Sequence, residues 1–339
     1  MSIRLAINGF GRTGRALMRA AARPELDLTV VAVNDLAPPE SLARLFSRDS
    51  VFGRYSLGVR MDGDVMVVGS QRVTMVSVPD VAALPWRSLE VDVVVESTGR
   101  FASRQAAAAH LSAGAPRVVV SAPAKGADAT FVVGVNDGDF DPERHVVVSN
   151  ASCTTNCLAV LAKVLDDAFG IEDGFVTTVH AYTGDQRLVD SVHKDPRRAR
   201  AAGINVIPTS TGAAHSTGLV LEHLAGRLDA VALRVPVPDG SITDLVANVH
   251  AAPSIEDVVG AYRVAAQGSL AGVLEYSDEP LVSTDIVGSP ASCVFDAGLT
   301  MTHGSLVKVF GWYDNEWGYA NRLAELAATV GAAPRPRLP

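Results

Sequence analysis

The segment that most constrains this chain lies near its start, Asn8-Gly9-Phe10-Gly11-Arg12-Thr13-Gly14. Before it, Ile3 to Ile7 alternates in β-friendly residues. After it, Arg15 to Ala22 is an Ala-rich stretch stopped near Pro24, so the order reads strand, glycine turn, helix. Gly9 permits the tight turn, Gly11 lets backbone approach a pyrophosphate, and Gly14 allows close packing of helix on strand. G-x-G-x-x-G alone also occurs as a plain structural turn. Here the next strand, Leu28 to Val33, ends at Asn34 and Asp35, an acidic residue at the roughly 20-residue spacing of dinucleotide folds. A carboxylate there would accept hydrogen bonds from the adenosine ribose and repel a 2′-phosphate, which favours NAD over NADP.

The alternation continues. Pro38 and Pro39 start a helix through Phe46, and Val65–Val68 with Arg72–Val76 reads as a hairpin around Gly69 and Ser70. Val91–Val95 and Val118–Val120 are continuous apolar runs, as in strands buried on both faces, with a helix, Arg104–Leu111, between them. A doubly wound α/β domain to about residue 150 follows. Beyond Asn150 the pattern changes. A helix is expected from Cys153 to Ala168, then strands at Gly174–His180, Ala230–Val235, Thr243–His250 and Leu306–Trp312, separated by loops rich in Pro, Gly, Ser and Thr. This is a second domain with a mostly antiparallel sheet. Trp317–Val330 is amphipathic helix, and the tail GAAPRPRLP is expected to be loose.

Composition narrows the partners. A formal net charge of -8 offers no basis for general binding to nucleic acid or anionic membrane. An anionic substrate would need a local arginine cluster. Three cysteines in 339 residues argue against a disulfide framework and for a reducing compartment. The opening residues do not read as a signal peptide, and a cytoplasmic location is expected.

Of those cysteines, Cys153 stands in Ser149-Asn150-Ala151-Ser152-Cys153-Thr154-Thr155-Asn156-Cys157, at a helix start rich in capping residues. The helix dipole there should lower the thiol pKa and favour thiolate. Cys157, a turn farther in, and Cys293 read as buried structural residues, and no second Cys/His pair completes a metal site. His180, ending a strand, is the candidate base. Tyr182, Thr183, Asp185 and Gln186 follow it in a polar loop. His110, His145, His193, His223, His250 and His303 read as surface or structural residues.

The runs INGFGRTGR, VVESTGRF, SAPAKGAD, SNASCTTNC, HAYTGDQ, HKDPRRAR, IPTSTGAA and WYDNEWGY resemble, in order, the motifs of phosphorylating glyceraldehyde-3-phosphate dehydrogenases of bacterial type. The resemblance covers Ile7 to about Leu326. It implies a Rossmann-type NAD-binding domain over 1–152, completed by a C-terminal helix 317–339, and an α+β catalytic and tetramerisation domain over 153–316. It also implies a homotetramer.

Residue by residue, the resemblance makes Cys153 the nucleophile and His180 its base. Ser152, Thr154, Thr211 and Gly212 match the site for attacking inorganic phosphate. Thr183, Arg198 and Arg234 match the site for the phosphate of glyceraldehyde 3-phosphate, with Asp185 beside Arg198. Asn315 would hold the nicotinamide carboxamide, with Tyr319 nearby. Arg12 and Thr13 would approach the pyrophosphate, Asp35 the ribose, and Asn8, Gly9, Gly11, Thr98 and Ser121 would line the cofactor groove. Guanidinium suits phosphate because its donors form a planar fork, although Arg197, Arg198 and Arg200 also read as a solvated cluster.

Five positions depart from the family pattern: Thr13 for Ile, His215 for Lys, Phe52 for His, and Asp239-Gly240 where the family has Asn-Val. Gly240 is expected to add flexibility near the active-site wall or a subunit interface. Ser191-Val192 matches neither the NAD-type nor the NADP-type loop, while Leu36 leans to NAD, so NADP stands as a second acceptor. Three alternatives accompany the main reading: an erythrose-4-phosphate dehydrogenase, a second isoform insensitive to thiol-alkylating inhibitors, and a non-catalytic redox sensor using Cys153.

Overall fold

The valine-rich runs of the first half become strands buried on both faces. The structure, a computed structural model, describes residues 2–336. It divides into two units. One runs from the N-terminus to Phe131, takes in Asp137–Ala151 and resumes at Ala320; the other holds Val132–Asn136 and Ser152–Tyr319.

The first unit contains β1 (Ile3–Asn8), α1 (Arg12–Ala20), β2 (Leu28–Asn34), α2 (Pro39–Ser47), β3 (Val59–Asp62), β4 (Val65–Val68), β5 (Gln71–Val76), β6 (Val93–Glu96), α3 (Arg104–Ala107), α4 (Ala109–Ser112), β7 (Val118–Val120), β8 (Ala129–Thr130) and β9 (Val147–Ser149). The sheet order is β8-β9-β7-β6-β1-β2-β5-β4-β3. Pairs from β8 to β5 are parallel, and β3, β4 and β5 form an antiparallel edge. The chain winds outward in both directions from β1, so the crevice at the carboxyl ends of β1 and β6 is the topological switch point where such sheets bind ligands. α1 starts at Arg12 rather than Arg15, directly from the glycine turn. The helix expected over Arg104–Leu111 is split at Ala108 by a tightened turn.

The second unit contains α5 (Cys153–Phe169), β10 (Ile171–Ala181), β11 (Ile207–Ser210), α6 (Ala213–Val220), β12 (Leu228–Val235), β13 (Ser241–Val249), α7 (Ile255–Gln267), β14 (Leu274–Ser277), α8 (Ser283–Ile286), β15 (Cys293–Asp296), β16 (Met301–His303), β17 (Leu306–Tyr313) and the start of α9 (Trp317–Ala332). Its sheet runs β11-β12-β10-β13-β17-β15-β14, with β16 on β17. Most pairs are antiparallel, but β10 with β12 and β14 with β15 are parallel. The first parallel pair needs a crossover, which β11 and α6 supply. α5 is buried along most of its length, so it is a core helix rather than an amphipathic one. Tyr262 of α7 stacks on Phe295 at 3.9 Å and donates to Leu161 O at 2.7 Å, locking α7 to β15 and α5. Gly311 has no room for a side chain: a Cβ there would lie 2.5 Å from Cys293 Sγ and 3.0 Å from Cys157 Sγ.

α9 ends at Ala332, two residues past the Val330 that the pattern gives and short of the 339 that the resemblance implied, because Pro334 lacks the N–H to continue it. Residues 337–339 lie outside the described residues. Ala333 and Pro334 are not loose: their carbonyls, with that of Pro142, accept hydrogen bonds from the buried guanidinium of Arg117. No helix of the described residues is long and apolar enough to cross a membrane.

Candidate active site

A cleft of about 430 Å³ opens in the first unit, at the switch point, lined by Asn8, Gly9, Gly11, Asp35, Leu36 and Thr98 among others. Gly9 sits at φ +93°, and a Cβ there would meet Thr98 N at 2.7 Å. Gly14 is as tight, with Gly9 O at 2.2 Å from its would-be Cβ. A Cβ on Gly11 would instead enter open space, with nothing within 4 Å. The turn is thus crowded on its protein side and open on its cleft side, the shape that a pyrophosphate on the helix start requires. Asp35 accepts from Phe10 N–H at 2.7 Å and Ala37 N–H at 3.0 Å, so it braces the turn as well as facing the cleft. Arg12, Thr13 and Ser121 are not among the cleft's lining residues. Arg12 points its guanidinium at Asp49, 3.1 Å away. Ser121 donates its N–H to Glu96 O at the end of β7.

Beneath the cleft runs a buried network that the sequence reading did not single out. Glu96 accepts from Asn8 Nδ2 at 2.6 Å, Thr98 N at 2.8 Å and Thr98 Oγ1 at 2.5 Å. Trp86 Nε1 donates to His110 Nδ1 at 2.9 Å, which leaves the proton of His110 on Nε2, facing Glu96 Oε2 at 3.0 Å. Asn34 extends the chain by donating to Asn8 Oδ1 at 2.7 Å. Burial would raise the Glu96 pKa, yet these donors hold it below the ordinary glutamate range. Its folded pKa is depressed, so its contribution is present at neutral pH and lost as pH falls below that range. Glu96→Gln should destabilise the fold by about 2 kcal/mol in urea unfolding at neutral pH, with the deficit shrinking in acid.

In the second unit, Cys153 opens α5. Ser152 is the N-cap, its hydroxyl accepting from Thr155 N–H at 3.1 Å. The preceding Ala151 holds the left-handed conformation at φ +55°, uncommon for a residue with a Cβ. Thr154 is buried, and its hydroxyl meets Tyr313 Oη at 2.9 Å, which also meets Thr178 Oγ1 at 2.8 Å. Tyr313, whose ring edge faces His180, pins α5 to β10 and was not singled out in the sequence.

Cys153 Sγ lies 3.4 Å from His180 Nε2. His180 Nδ1 is 2.7 Å from Ala181 O and 2.9 Å from Arg234 Nη1. The first contact requires a proton on Nδ1 and the second a lone pair. The carbonyl contact is the shorter, and two lone pairs at that distance would repel. Arg234 Nη1 also has Ala181 O at 3.1 Å and Thr183 Oγ1 at 3.2 Å to donate to. Nδ1 therefore carries the proton, and Nε2 turns its lone pair to the sulfur. Burial pushes the Cys153 thiol up to about 11, while Arg234 and Thr154 pull it down. Burial, then Arg234, push His180 down to about 3. Burial therefore opposes the helix start that was expected to lower the thiol, while the Thr154 N–H and Arg234 act in the expected direction.

Thr183, Asp185, Arg198 and Arg234 come together. Thr183 Oγ1 donates to Asp185 Oδ1 at 2.5 Å, and Arg198 Nη1 donates to Asp185 Oδ2 at 2.5 Å. Arg198 is thus anchored, not a free surface cation, and Thr209 Oγ1 accepts from its Nε at 2.9 Å. Arg234 Nε and Gln186 Nε2 are buried donors without an acceptor. Thr211 and Gly212 open α6, which packs on α5; Thr211 Oγ1 accepts from Ala213 N–H. Asn315 is buried, its Oδ1 accepting from Ser241 Oγ at 2.6 Å, and Tyr319 is buried in the first turn of α9.

Comparison with known proteins decides the lineage. Residues 3–104 match the profile described as "Glyceraldehyde 3-phosphate dehydrogenase, NAD binding domain", and residues 152–315 match "Glyceraldehyde 3-phosphate dehydrogenase, C-terminal domain". The chain belongs to the glyceraldehyde-3-phosphate dehydrogenase family. It is 57% identical to glyceraldehyde-3-phosphate dehydrogenase 2 of Streptomyces arenae, over 98% of this chain and 100% of that one. It is 56% identical to glyceraldehyde-3-phosphate dehydrogenase 1 of the same organism, over the same shares. Identity is 53% to the glyceraldehyde-3-phosphate dehydrogenase of Mycolicibacterium smegmatis, over 98% of this chain and 99% of that one.

As a member of the glyceraldehyde-3-phosphate dehydrogenase family, the chain uses its departures in definite ways. His215 is exposed on α6, and Phe52 lies 5.9 Å from the Arg12 guanidinium. Gly240 does not add flexibility as expected. It is held at φ +83°, and a Cβ would fall 2.1 Å from Ser283 O, so glycine is required by a wedged backbone. Asp239 beside it is buried.

Proposed function

We propose that this enzyme oxidises and phosphorylates D-glyceraldehyde 3-phosphate to 1,3-bisphosphoglycerate, with NAD as acceptor. The Cys153–His180 pair at the start of α5 carries this reading. Asn8, Gly9, Gly11, Asp35 and Thr98, with the backbone of Arg12 and Thr13, suit NAD, which when bound supplies the hydride acceptor; Ser121 is assigned to the same groove. Asn315 and Tyr319 are assigned to its nicotinamide end. His180 Nε2 takes the thiol proton as Cys153 Sγ adds to the aldehyde carbon, returns it to the oxyanion so formed, and takes it again from that hydroxyl as the carbon is oxidised to a thioester. Backbone N–H groups at the start of α5 stabilise the oxyanion. Arg234, Arg198 and Thr183 hold the substrate phosphate, and the buried donors without acceptors support an anion there. Ser152, Thr154, Thr211 and Gly212 hold the inorganic phosphate that cleaves the thioester. Because the Thr154 hydroxyl meets Tyr313, its N–H is the group assigned to that phosphate.

The names of the relatives favour this aldehyde over erythrose 4-phosphate. A reducing, cytoplasmic setting fits three free cysteines. A homotetramer fits the loop after β10, which leaves Leu188, Val192 and Ile204 exposed at 86%, 90% and 82%.

Omitting inorganic phosphate should reduce steady NADH formation from glyceraldehyde 3-phosphate by roughly 100-fold or more, because water attacks the thioester poorly. Phosphate-independent turnover would instead make the chain a hydrolysing aldehyde dehydrogenase.

A further inference from the structure

Two carboxyl groups face each other in the second unit beside the Ser241–Asn315 bond. Asp314 accepts three backbone N–H groups: Gly288 at 2.8 Å, Glu316 at 2.9 Å and Trp317 at 2.6 Å. Asp239 accepts one, from Gly240 at 2.9 Å, and its other oxygen, Oδ2, is buried with no partner among acceptors or donors of ordinary kind. Asp239 and Asp314 are 2% and 1% exposed. Asp239 faces Asp314 and, farther off, Glu316, both from the turn between β17 and α9. On the neighbouring α8, Asp285 turns its carboxylate to Val282 N–H and Ser283 offers its carbonyl beside Gly240.

Two ionised carboxylates cannot sit together in such a place, and the donor count decides which one keeps a proton. Asp314, with three N–H donors, is the anion. A proton on Asp239 Oδ2 would turn the orphaned oxygen into a donor to Asp314 and satisfy it.

We propose that Asp239 is a positioning residue that acts as a neutral acid, holding Asp314 through its own proton and thereby fixing Asn315 for the nicotinamide end of the cofactor. The chain of contacts is short. Asp239 lies two residues before Ser241, and Asp314 immediately before Asn315. Ser241 Oγ donates to Asn315 Oδ1 and accepts from Ala181 N–H at 3.1 Å, the residue after His180. Gly240, wedged against Ser283 O, leaves the segment little slack to absorb repulsion. Loss of the proton therefore sets the strands on either side of the Ser241–Asn315 bond against each other. Burial, with Asp314 and Glu316, pushes the Asp239 carboxyl up to about 8, so the proton is held at neutral pH and lost in mild alkali. The raised value also sets a sign for stability. The unfolded chain releases this proton in the usual carboxylate range and the folded protein does not, so stability declines as pH rises from that range to about 8.

The role assigned to Asn315 rests on the proposed function; the proton does not, and the test separates them. Infrared spectra of the intact protein should show the carbonyl band of a neutral carboxylic acid at pH 7, absent in Asp239→Asn and titrating away near pH 8. The KM for NAD of the wild type should rise several-fold through the same range. Asp239→Asn, whose amide donates at every pH, should stay within about twofold of the wild-type KM at pH 7 and lack the alkaline rise. A wild type without the band overturns the proposal, as does an equal alkaline rise in the variant. If Asp239→Asn does not fold, the wild-type band and its titration decide alone. A wild type that shows the band but no turnover would sink the proposed function and leave the shared proton standing.

Discussion

Replacing Cys153 by serine should lower kcat by roughly 10⁴-fold or more while leaving the fold and NAD affinity unchanged. The sulfur lies 3.4 Å from His180 Nε2, and a thioester needs a thiol. Serine is close in size, so Ser152 can still cap α5 and Thr154 can still meet Tyr313. Cys153 does not line the cofactor cleft, so titration of NAD should be indistinguishable from the wild type. Steady-state NADH formation and an NAD binding isotherm on the same preparation check both halves. Residual phosphate-dependent turnover above about 1% of wild type would show that the sulfur is not the nucleophile.

The second large effect lies in the glycine turn, where Gly11 and Gly14 should fail for different reasons. Gly14→Ala brings a methyl to 2.2 Å from Gly9 O and 3.2 Å from Ile7 Cγ2, both part of the β1–turn framework. α1 must move off the strand, and overpacking of that kind costs about 3 kcal/mol, or about 6–12 °C in Tm for a unit of this size. Gly11→Ala meets nothing within 4 Å, so its Tm should stay within about 1 °C. Its methyl would stand where backbone must approach the pyrophosphate, and the Kd for NAD should rise about 10-fold or more. Thermal melts and NAD titrations of the two variants should therefore move in opposite patterns. Equal loss of stability in both would mean the turn has no open face.

Local signals reported local structure well. The glycine turn, the strand before Asp35, the hairpin over Val65–Val76 and the capped helix at Cys153 lie within a few residues of their expected places. α7 was missed although its capping box is written in the sequence: Ser254 accepts from Asp257 N–H, and the Asp257 carboxylate accepts from Ser254 N–H. The parallel pairing of β10 with β12 was not legible, since it depends on which distant segments meet rather than on either strand's pattern. The same limit hid Tyr313, which acts through Thr154 and Thr178, and the Glu96–His110–Trp86 chain, whose members are separated in sequence. His110 gave no sequence sign of its partners, because burial with a carboxylate is a property of the folded neighbourhood. Gly240 shows the opposite failure. A glycine in place of valine reads as added freedom until the carbonyl of Ser283 is seen beside it.

The buried Arg117 has a consequence for how the protein is made. Its guanidinium is held by carbonyls of Pro142, Ala333 and Pro334, and the first unit is completed only by the stretch that resumes at Ala320. During synthesis, Ser152–Tyr319 leaves the ribosome before that stretch does. The second unit can therefore close as an almost uninterrupted length of nascent chain, while the earlier-made first unit waits with a hydrated arginine where its last helix will dock. The half that begins the chain is thus the half whose residues are completed last.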